Sequence, residues 1–453
     1  MPRRTARQGF IFVAGIVISL QVGQASAMGL LQAYEAALQN DATYRSAIFD
    51  NQAGQENKIL GRSNLLPNAQ LNYSTAKNKA DLTQPENFAG VVIPYTTHPD
   101  YTSTSSSVTV RQVLFSLDAY AKYKQGIAQT NFSDAQFTAR RQDLIIRLVT
   151  AYAEAQYAND QVALISAQRN AFAEQRHIND RMFERGEGTK TDMLETQAKL
   201  DLSESQLIEA QDNLLTARNT LASMLGQSVE QLDGLTDNFR LLPSTVSTFD
   251  EWVALAIENN AEILAGKYNI EVAEQEVKKN WAGHTPRLDL QASYSRAKSD
   301  SLTTLDQDQT TKSIGLQLVI PLYSGGSVSA LTRQAVANRE KAKSDLDFTT
   351  KKILLELRKQ YSAVMSSSAK IDALVKSVSS ATLLVEATNQ SVKGGVRINL
   401  DVLNAQQQLV TSKRDLVQTR YNYLLAYLRL RNAAGTLNGA DLVDISHYFA
   451  STP

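Results

Sequence analysis

The residue types that most often perform chemistry are few and scattered in this sequence. The chain has 453 residues, no cysteine and four histidines that lack the spacing of metal ligands: His98, His177, His284 and His447. It contains no phosphate-binding loop, no nucleophile elbow and no paired His-Glu motif. The sequence therefore predicts a protein that is not an enzyme and that holds no metal ion or cofactor.

Polar residues instead follow two glycine turns that resemble each other. The first segment is ERGEGTKTDMLETQ, residues 184–197, and the second is KGGVRINLDVLNAQ, residues 393–406. Four identities lie 209 residues apart: Gly186 and Gly395, Asp192 and Asp401, Leu194 and Leu403, Gln197 and Gln406. Two copies of one device at a fixed offset indicate an internal duplication.

The residues of these turns have two possible structural roles. The glycines are expected to let the chain reverse tightly between two helices where a positive φ is needed: Gly186, Gly188, Gly394 and Gly395. Thr189 with Asp192, and Asn399 with Asp401, have the arrangement of helix N-caps. The same polar groups could also link neighbouring hairpins, and the two roles are compatible.

The duplication divides the chain into two repeats with one order of elements. That order is helix, strand, variable loop, strand, very long helix, glycine turn and long helix. The first repeat is predicted at 28–240, with strands near 68–79 and 102–115 and a hairpin tip at 186–191. The second is predicted at 241–440, with strands near 287–298 and 312–323 and a tip at 394–400, before a short tail at 441–453.

The predicted strands alternate apolar and polar residues and carry aromatic residues near their ends. Examples of these aromatics are Tyr73, Phe115, Tyr294 and Tyr323. Such strands suit a sheet that is apolar on one face and wet on the other, either on a soluble core or across a bilayer. The polar segments 80–104 and 298–312 are predicted to be solvent-exposed loops.

The helices are long and amphipathic. Residues from about 117 to 184 have a helical pattern without proline, which corresponds to roughly 100 Å. Positions 354 to 392 alternate steps of three and four, and two adjacent seven-residue stripes begin at Val402 and Leu403. A seam of this width predicts helices with neighbours on both sides.

The N-terminus and the charge balance indicate the compartment and the class of partner. Residues 1–27 have a basic start, an apolar run and an Ala25-Ser26-Ala27 ending, which is typical of a secretory signal peptide. The formal net charge of +0 argues against nucleic acid as a partner. After residue 28 the sequence has no stretch typical of a transmembrane helix, so any membrane contact is expected through strands.

Two pairs of strands give four per chain, which is too few to close a barrel. Open strand edges are not tolerated in lipid, so a membrane barrel would have to be shared between copies of the chain. The wide seams of the helices raise the same requirement for a ring closed by symmetry. A shared barrel that continues into a shared helical tube satisfies both.

In this order of elements the sequence resembles the TolC-like outer-membrane channel proteins of Gram-negative bacteria. The resemblance covers nearly the whole mature chain. It rests on LLPNAQLNYS and HTPRLDLQASYS before the strands, VLFS and PLYSGG after them, and the tip GGVRINLDVLNAQ. It implies a mostly α-helical chain with β-strands, in a homotrimer. Twelve strands form an outer-membrane barrel continuous with a periplasmic α-helical barrel.

The resemblance also implies roles for residues at the tips. By position, Thr191, Asp192 and Arg397 would link neighbouring hairpins, and Asp401 and Asn404 would stand at the rings that line the constriction. The glycines of the turns, Gly186, Gly188, Gly394 and Gly395, would form the tips on which an adaptor docks. Asn404 replaces an acidic ring residue of the family and Val392 replaces a linking tyrosine, which predicts a weaker closed state. Arg397 suits a link better than a cap, because a cation is unfavourable at a helix N-terminus.

The implied function is a passive export conduit in the cell outer membrane that extends into the periplasm. Its partners would be a periplasmic adaptor, an inner-membrane transporter of the ABC or proton-driven kind, and outer-membrane lipid. Secretion of a protein (type I secretion) is slightly favoured over efflux of small toxic compounds. The rival interpretations are a periplasmic coiled-coil adaptor without a pore and an exported filament protein.

Overall fold

The computed structural model describes residues 27–236, 239–242, 248–301 and 304–450. The predicted signal peptide lies almost entirely outside these residues. The elements, in chain order, are α1 (Leu30–Asn40), α2 (Ala42–Ser63), β1 (Asn68–Lys79), β2 (Leu82–Phe88), β3 (Val91–Thr97), β4 (Asp100–Phe115), α3 (Leu117–Glu184), α4 (Lys190–Leu225), β5 (Gly234–Leu235), α5 (Phe249–Asn259), α6 (Ala261–Trp281), β6 (Arg287–Ser301), β7 (Thr304–Val319), α7 (Ser327–Lys393), α8 (Asn399–Ala433), α9 (Gly439–Ser446) and β8 (Phe449–Ala450).

Four long strands form one antiparallel sheet in the order β1-β4-β6-β7, which leaves β1 and β7 as its edges. One face is apolar and its large side chains are exposed in the single chain: Leu71, Tyr73, Val108, Val110, Tyr294, Ile314, Leu316 and Leu318. The other face is polar, with hydroxyl pairs such as Ser74–Ser105 at 3.0 Å and Ser293–Ser313 at 2.7 Å. The alternation of the sequence therefore predicted the two faces correctly.

The strand bounds differ from the prediction in three places. β4 begins at Asp100 and β6 continues to Ser301, because Ser and Thr extend the ladder through segments that composition alone assigned to loops. β7 spans Thr304–Val319 rather than 312–323. It ends before Pro321, which has no backbone N–H to donate to a ladder. Gly325 and Gly326, with φ of +60° and +79°, then turn the chain into α7.

The predicted loop at 80–104 contains a second hairpin. β2 and β3 pair from Leu82–Thr97 to Phe88–Val91. The two residues between them, Ala89 and Gly90, have φ of +53° and +88°, as a two-residue hairpin turn requires. The polar and proline-containing composition of this segment hid the hairpin, because its strands are too short and too mixed to alternate clearly.

The two long hairpins, α3–α4 and α7–α8, bury corresponding positions. In α3 and α7, the pairs 144 and 353, 148 and 357, 172 and 381, and 179 and 388 are buried at the offset of 209 residues. In α4 and α8, the pairs 196 and 405, 203 and 412, 210 and 419, and 221 and 430 are buried at the same offset. Both pairs of helices therefore pack in one register.

The stripes predicted for α8 lie on its packed face. Six of their members are buried, namely Val402, Leu403, Leu416, Tyr423, Leu424 and Leu430, and Leu409, Val410 and Val417 are half-buried. The seam predicted for α7 is partly wrong. Val375 is exposed, whereas polar and small residues are buried on the packed face: Gln360, Ala381 and Thr388. A pattern of apolar residues does not reveal a seam that is partly built from these residue types.

The main core lies where the middle of α3 meets α1, α4, α8 and α9. Its fully buried members include Leu148, Tyr152, Leu225 and Leu428. The Tyr152 hydroxyl donates to the carbonyl of Met28 at 2.9 Å and accepts from the Asp233 backbone N–H at 3.0 Å. This core fixes both ends of the described chain onto the helices.

The predicted boundary between 440 and the tail falls inside α9. Leu442, Ile445 and Phe449 of this segment are buried in the main core, so the described part of the tail belongs to the folded body. The division into repeats at 28–240 and 241–440 stays a prediction. Across the described residues, we find no helix with a segment both long and apolar enough to traverse a membrane.

Candidate functional site at the hairpin tips

The two tips use the same backbone turn. At the first tip, the Glu187 N–H donates to the Met182 carbonyl at 2.9 Å and the Gly186 N–H donates to the Phe183 carbonyl at 2.9 Å. At the second tip, the Val396 N–H donates to the Ser391 carbonyl at 2.9 Å. This is the Schellman motif, which ends a helix on a residue with left-handed backbone. Gly186 and Gly395 supply that residue, with φ of +75° and +72°.

The other two tip glycines do not have the positive φ that the sequence suggested. Gly394 has φ of −82°, in the ordinary helical region. Gly188 is closely packed instead, because a Cβ there would lie 3.1 Å from the Cβ of Met182, which would have to move by a few tenths of an ångström. The position that corresponds to Gly188 at the second tip is Arg397, so the same turn accommodates a residue with a Cβ there. The expectation of a positive φ was therefore right for two of the four glycines.

Only the first tip has a side-chain cap at the start of its second helix. The Thr189 hydroxyl accepts from the Asp192 N–H at 3.1 Å, and the Asp192 carboxylate accepts from the Thr189 N–H at 3.2 Å. This capping box satisfies two backbone donors that the helix leaves free. At the second tip the capping position is Ile398, which makes no side-chain cap. The cap interpretation of Asp192 is thus correct, whereas Asn399 and Asp401 do not form a cap.

The five predicted gate residues do not contact one another within the chain. Thr191, Arg397 and Asn404 are exposed, and Asp401 is half-buried. The structure contains no hydrogen bond or ion pair between any two of Thr191, Asp192, Arg397, Asp401 and Asn404, all of which are described. Arg397 therefore has its five N–H donors available for a group outside the chain.

A buried polar network that the sequence analysis missed joins the first hairpin to α8 just above the tips. Thr196 is at its centre, with no exposed surface. Its hydroxyl accepts from the Asn179 amide at 2.8 Å and from the Asn399 amide at 3.2 Å, and it donates to the Asp192 carbonyl at 2.8 Å. One donor and two acceptor positions are all that a hydroxyl has, so this group is fully used.

Gln175 closes the network. Its side-chain amide donates to Asn399 Oδ1 at 2.6 Å and to Asn179 Oδ1 at 3.2 Å. We call the set Gln175, Asn179, Thr196 and Asn399 the interhelix network. A buried polar group without a partner is costly, so the network holds α3, α4 and α8 in one arrangement.

A signal for this network exists in the sequence. Asn179 and Thr196 occupy buried seam positions whose counterparts 209 residues later are Thr388 and Ala405. Polar residues at seam positions of long helices are often specific contacts. A second amide pair, Gln168 and Gln407, joins α3 and α8 at 2.6 Å further from the tip.

No group of three or more His, Cys, Asp or Glu side chains capable of holding a metal ion occurs in the described part of the chain. The site consists of rigid turns, exposed charged groups and a buried neutral network.

Comparison with known proteins identifies the family. The sequence model of the family described as outer membrane efflux protein matches residues 33–227 and 252–436. The chain is 39% identical over 441 residues to the proteases secretion protein PrtF of Dickeya chrysanthemi, covering 97% of this chain and 95% of that protein. It is 38% identical over 449 residues to the alkaline protease secretion protein AprF of Pseudomonas aeruginosa, covering 99% and 92%.

A similar fold occurs among solved structures. The outer membrane protein VceC of Vibrio cholerae superposes with a TM-score of 0.75 at 20% identity, covering 90% of this chain and 96% of that one. The mostly α-helical fold with strands and the family resemblance expected from the sequence are therefore confirmed, as is location in the outer membrane. This chain belongs to the outer membrane efflux protein family.

Proposed function

We propose that this chain is the outer-membrane channel of a type I system that secretes a protease. The sequence alone left open whether the cargo is a secreted protein or a small toxic compound. The names of PrtF and AprF, which align with nearly the whole chain, favour a secreted protease. The channel is a passive conduit and takes its energy from a transporter in the inner membrane.

The open four-stranded sheet is the main observation in favour of a barrel that several copies of the chain form together. Its edges β1 and β7 have no partner strand among the described residues of one chain. Unpaired edges are not tolerated in lipid, and four strands are too few to enclose an interior. Three copies joined β7 to β1 would give twelve strands. The exposed apolar face would then meet lipid and the polar face would line the interior.

The apolar face covers much of the thickness of a bilayer. On β6, the row of Tyr294 and the row of Leu288 are separated by about 20 Å along the strand, or about 15 Å of height at the usual barrel tilt of about 35–45°. Ile320, Leu322 and Tyr323 beyond the end of β7 are also exposed and prolong the apolar surface. An outward apolar band of about 25 Å is typical of outer-membrane barrels.

The helices would form the periplasmic part of the conduit. α3 has 68 residues and extends about 100 Å, and α7 is nearly as long. Three copies of the four long helices give a tube with the hairpin tips at its far end. Gly186, Gly188, Gly394 and Gly395 would then be the docking tips for a periplasmic adaptor, which connects the channel to an ABC or proton-driven transporter.

The closed entrance has two kinds of link in this proposal. Within one chain, the interhelix network holds α8 against the first hairpin. Between chains, Arg397 pairs with a neighbouring hairpin at Thr191 or Asp192, and Asp401 and Asn404 line the constriction. Exposed ion pairs contribute only about 0–1 kcal/mol each, so the links between chains yield readily when a partner docks.

Two measurements test the proposal. In planar bilayers the purified protein should conduct as a trimer. In a strain from which the gene is deleted, protease activity in the medium should fall and return with a plasmid copy. A monomer that does not conduct would refute the channel. Unchanged protease secretion with increased sensitivity to toxic compounds would instead assign the conduit to efflux.

The alternative of a periplasmic adaptor without a pore has less support. Such a protein has no need for long amphipathic strands with an exposed apolar face. It would also be soluble without detergent and would not conduct, so the bilayer measurement separates the two functions.

A further inference from the structure

Basic side chains are concentrated on the apolar face of the sheet, at its end away from the helices. Backbone register places Leu71, Val108, Tyr294 and Lys312 in one row across the four strands. Between this row and the helices, the described residues of the apolar face include no charged side chain. Beyond the row, on the same face, lie Lys77, Lys79, Arg296 and Lys298.

The carboxylates on this part of the face do not balance the basic groups. Asp100 lies 3.6 Å from Lys77 Nζ and 3.8 Å from Lys79 Nζ, so one carboxylate serves two cations. Asp308 is likewise shared, at 2.6 Å from Arg296 and 3.3 Å from Lys298. Each group of three leaves one positive charge in excess.

Lys312 adds a further charge. It has no carboxylate partner among the described residues, and its ammonium lies 5.8 Å from the centre of the Tyr294 ring. Five basic and two acidic side chains thus give the described part of this face a net charge of +3 per chain. We call these five residues the basic belt: Lys77, Lys79, Arg296, Lys298 and Lys312.

The belt lies where the head groups of a bilayer would be. Tyr73 and Tyr294, at the boundary between the apolar rows and the belt, are the residue type found at a membrane interface. The helices leave the sheet at its opposite end, so the belt faces the outer leaflet in the proposed orientation. Cationic side chains at this depth attract phosphate groups, and guanidinium binds them in two-pronged geometry.

We propose that the basic belt binds an outer-leaflet lipid that carries phosphate groups on its head, with the acyl chains of that lipid against the apolar rows below. The inference rests on the proposed barrel, because only a barrel turns this face toward lipid. In that barrel β7 of one chain is next to β1 of another. Lys312, Arg296 and Lys298 of one copy would therefore be followed around the circumference by Lys77 and Lys79 of the next.

The test measures which lipid the purified trimer retains. The full-length protein is incorporated into nanodiscs of phosphatidylcholine with a small fraction of diphosphoryl lipid A, monophosphoryl lipid A or neither. The lipid that stays with the protein after detergent exchange is counted by native mass spectrometry. Wild type is expected to enrich diphosphoryl lipid A about tenfold over phosphatidylcholine, with monophosphoryl lipid A in between.

The triple variant Arg296→Gln, Lys298→Gln and Lys312→Gln should lose most of this enrichment. A matched control removes three basic charges from α7, where Lys341, Lys343 and Lys351 are exposed. The control Lys341→Gln, Lys343→Gln and Lys351→Gln should enrich lipid A as wild type does. The single variant Lys312→Gln, which breaks no ion pair, should give a partial loss even if the triple variant folds poorly.

Two results would refute the proposal that the basic belt binds a phosphate-bearing lipid. One is equal retention of diphosphoryl lipid A and phosphatidylcholine by wild type, and the other is undiminished enrichment in the triple and single variants. Conductance in phosphatidylcholine bilayers is recorded on the same samples. A conducting trimer without lipid preference refutes the belt and leaves the channel intact, whereas a monomer without conductance refutes the channel itself.

Discussion

The tip of the α3–α4 hairpin and the tip of the α7–α8 hairpin follow the same backbone path. Each ends its first helix on a left-handed glycine, Gly186 in one and Gly395 in the other. Their side chains differ. Thr189 caps α4, whereas Ile398 leaves α8 without a side-chain cap. The turn itself needs only the glycine, so the remaining positions were free to diverge.

The difference extends into the helices. Asn179 and Thr196 of the first hairpin correspond to Thr388 and Ala405 of the second, and all four are buried. Asp160 of α3 corresponds to Ala369 of α7. α3 packs against α1, α2, α4, α6 and α8, whereas α7 packs against α5, α6 and α8. More of the buried polar side chains are therefore found in the α3–α4 hairpin, where more neighbouring helices can supply hydrogen-bond partners. The comparison teaches that the first hairpin has buried polar contacts of its own, and that α8 of the second hairpin joins it through Asn399, Gln407 and Tyr421.

The largest effect is expected from Thr196→Val, which keeps the shape and removes the hydroxyl. The buried amides of Asn179 and Asn399 both lose an acceptor, which costs the closed arrangement about 2–3 kcal/mol. The open fraction in planar bilayers should rise by about 30-fold to 150-fold.

Thr388→Val is the control for this prediction. Thr388 is buried at the position of α7 that corresponds to Asn179, the partner of Thr196, but its side chain makes no hydrogen bond to another described helix. It should leave the open fraction unchanged. Equal effects of the two substitutions would show that the asymmetry between the hairpins has no role in closure.

A smaller effect is expected from Asp160→Asn and depends on pH. Burial raises the pKa of Asp160 to about 6 from its ordinary 3.8, although Tyr421 donates a hydrogen bond to it at 2.9 Å. Because the folded state favours the protonated acid, its stabilising contribution is present below about pH 4 and is lost as pH rises through 6. The variant should therefore be more stable than wild type at pH 8 by about 2 kcal/mol, and equal to it at pH 4.

Thermal unfolding followed by circular dichroism at the two pH values measures this difference. Asp372→Asn removes an exposed carboxylate from α7 and serves as the control. If Asp160→Asn gives no gain at pH 8, the carboxylate is solvated in the assembled trimer.

A third effect, smaller again, concerns Arg397→Ser at the second tip. Loss of a link worth about 1 kcal/mol or less should raise the open fraction several-fold at low salt. High salt should reduce the difference between wild type and variant, because an exposed ion pair is screened.

Arg185→Ser makes the same change of charge at the first tip, at the position that corresponds to Gly394. It should leave the open fraction near that of wild type. A salt-independent effect of Arg397→Ser would argue against an ion pair between chains.

The smallest effect is expected from exchanging the caps. Thr189→Ala should weaken the start of α4 by about 1 kcal/mol, and Ile398→Thr should stabilise the start of α8 by a similar amount or less. Ile398 is exposed, so little packing is lost with it. Hydrogen exchange at the first amides of each helix measures both changes, and it should become faster at the first tip and slower at the second. No change in exchange would mean that the tips are held by other contacts.

Much of the fold was predictable because it follows from periodicity. The seven-residue stripes of α8 and the two faces of the sheet depend on where apolar residues recur, and both were right. The seam of α7 was partly wrong because Gln360, Ala381 and Thr388 are buried without being strongly apolar. The β2–β3 hairpin was missed because two short strands with a proline in each do not produce a clear alternation.

The candidate site was predictable only in its backbone. Paired glycines at one offset identify a turn, but they do not say which polar side chains meet above it. Thr196 and Asn399 are 203 residues apart in the chain and touch only after α8 packs against the first hairpin. Contacts of that kind depend on the tertiary arrangement, which local pattern does not contain.

The length of α3 fixes a distance in the molecule. A continuous helix is neither stretched nor shortened, so its 68 residues set the distance between the sheet and the entrance. An insertion of seven residues in α3 would keep its stripe aligned only if α4, α7 and α8 gained the same seven. An insertion of four residues in α3 alone would rotate the part of α3 between the insertion and the tip out of register with its neighbouring helices. Relatives with longer or shorter hairpins should therefore differ by matched heptads in all four helices.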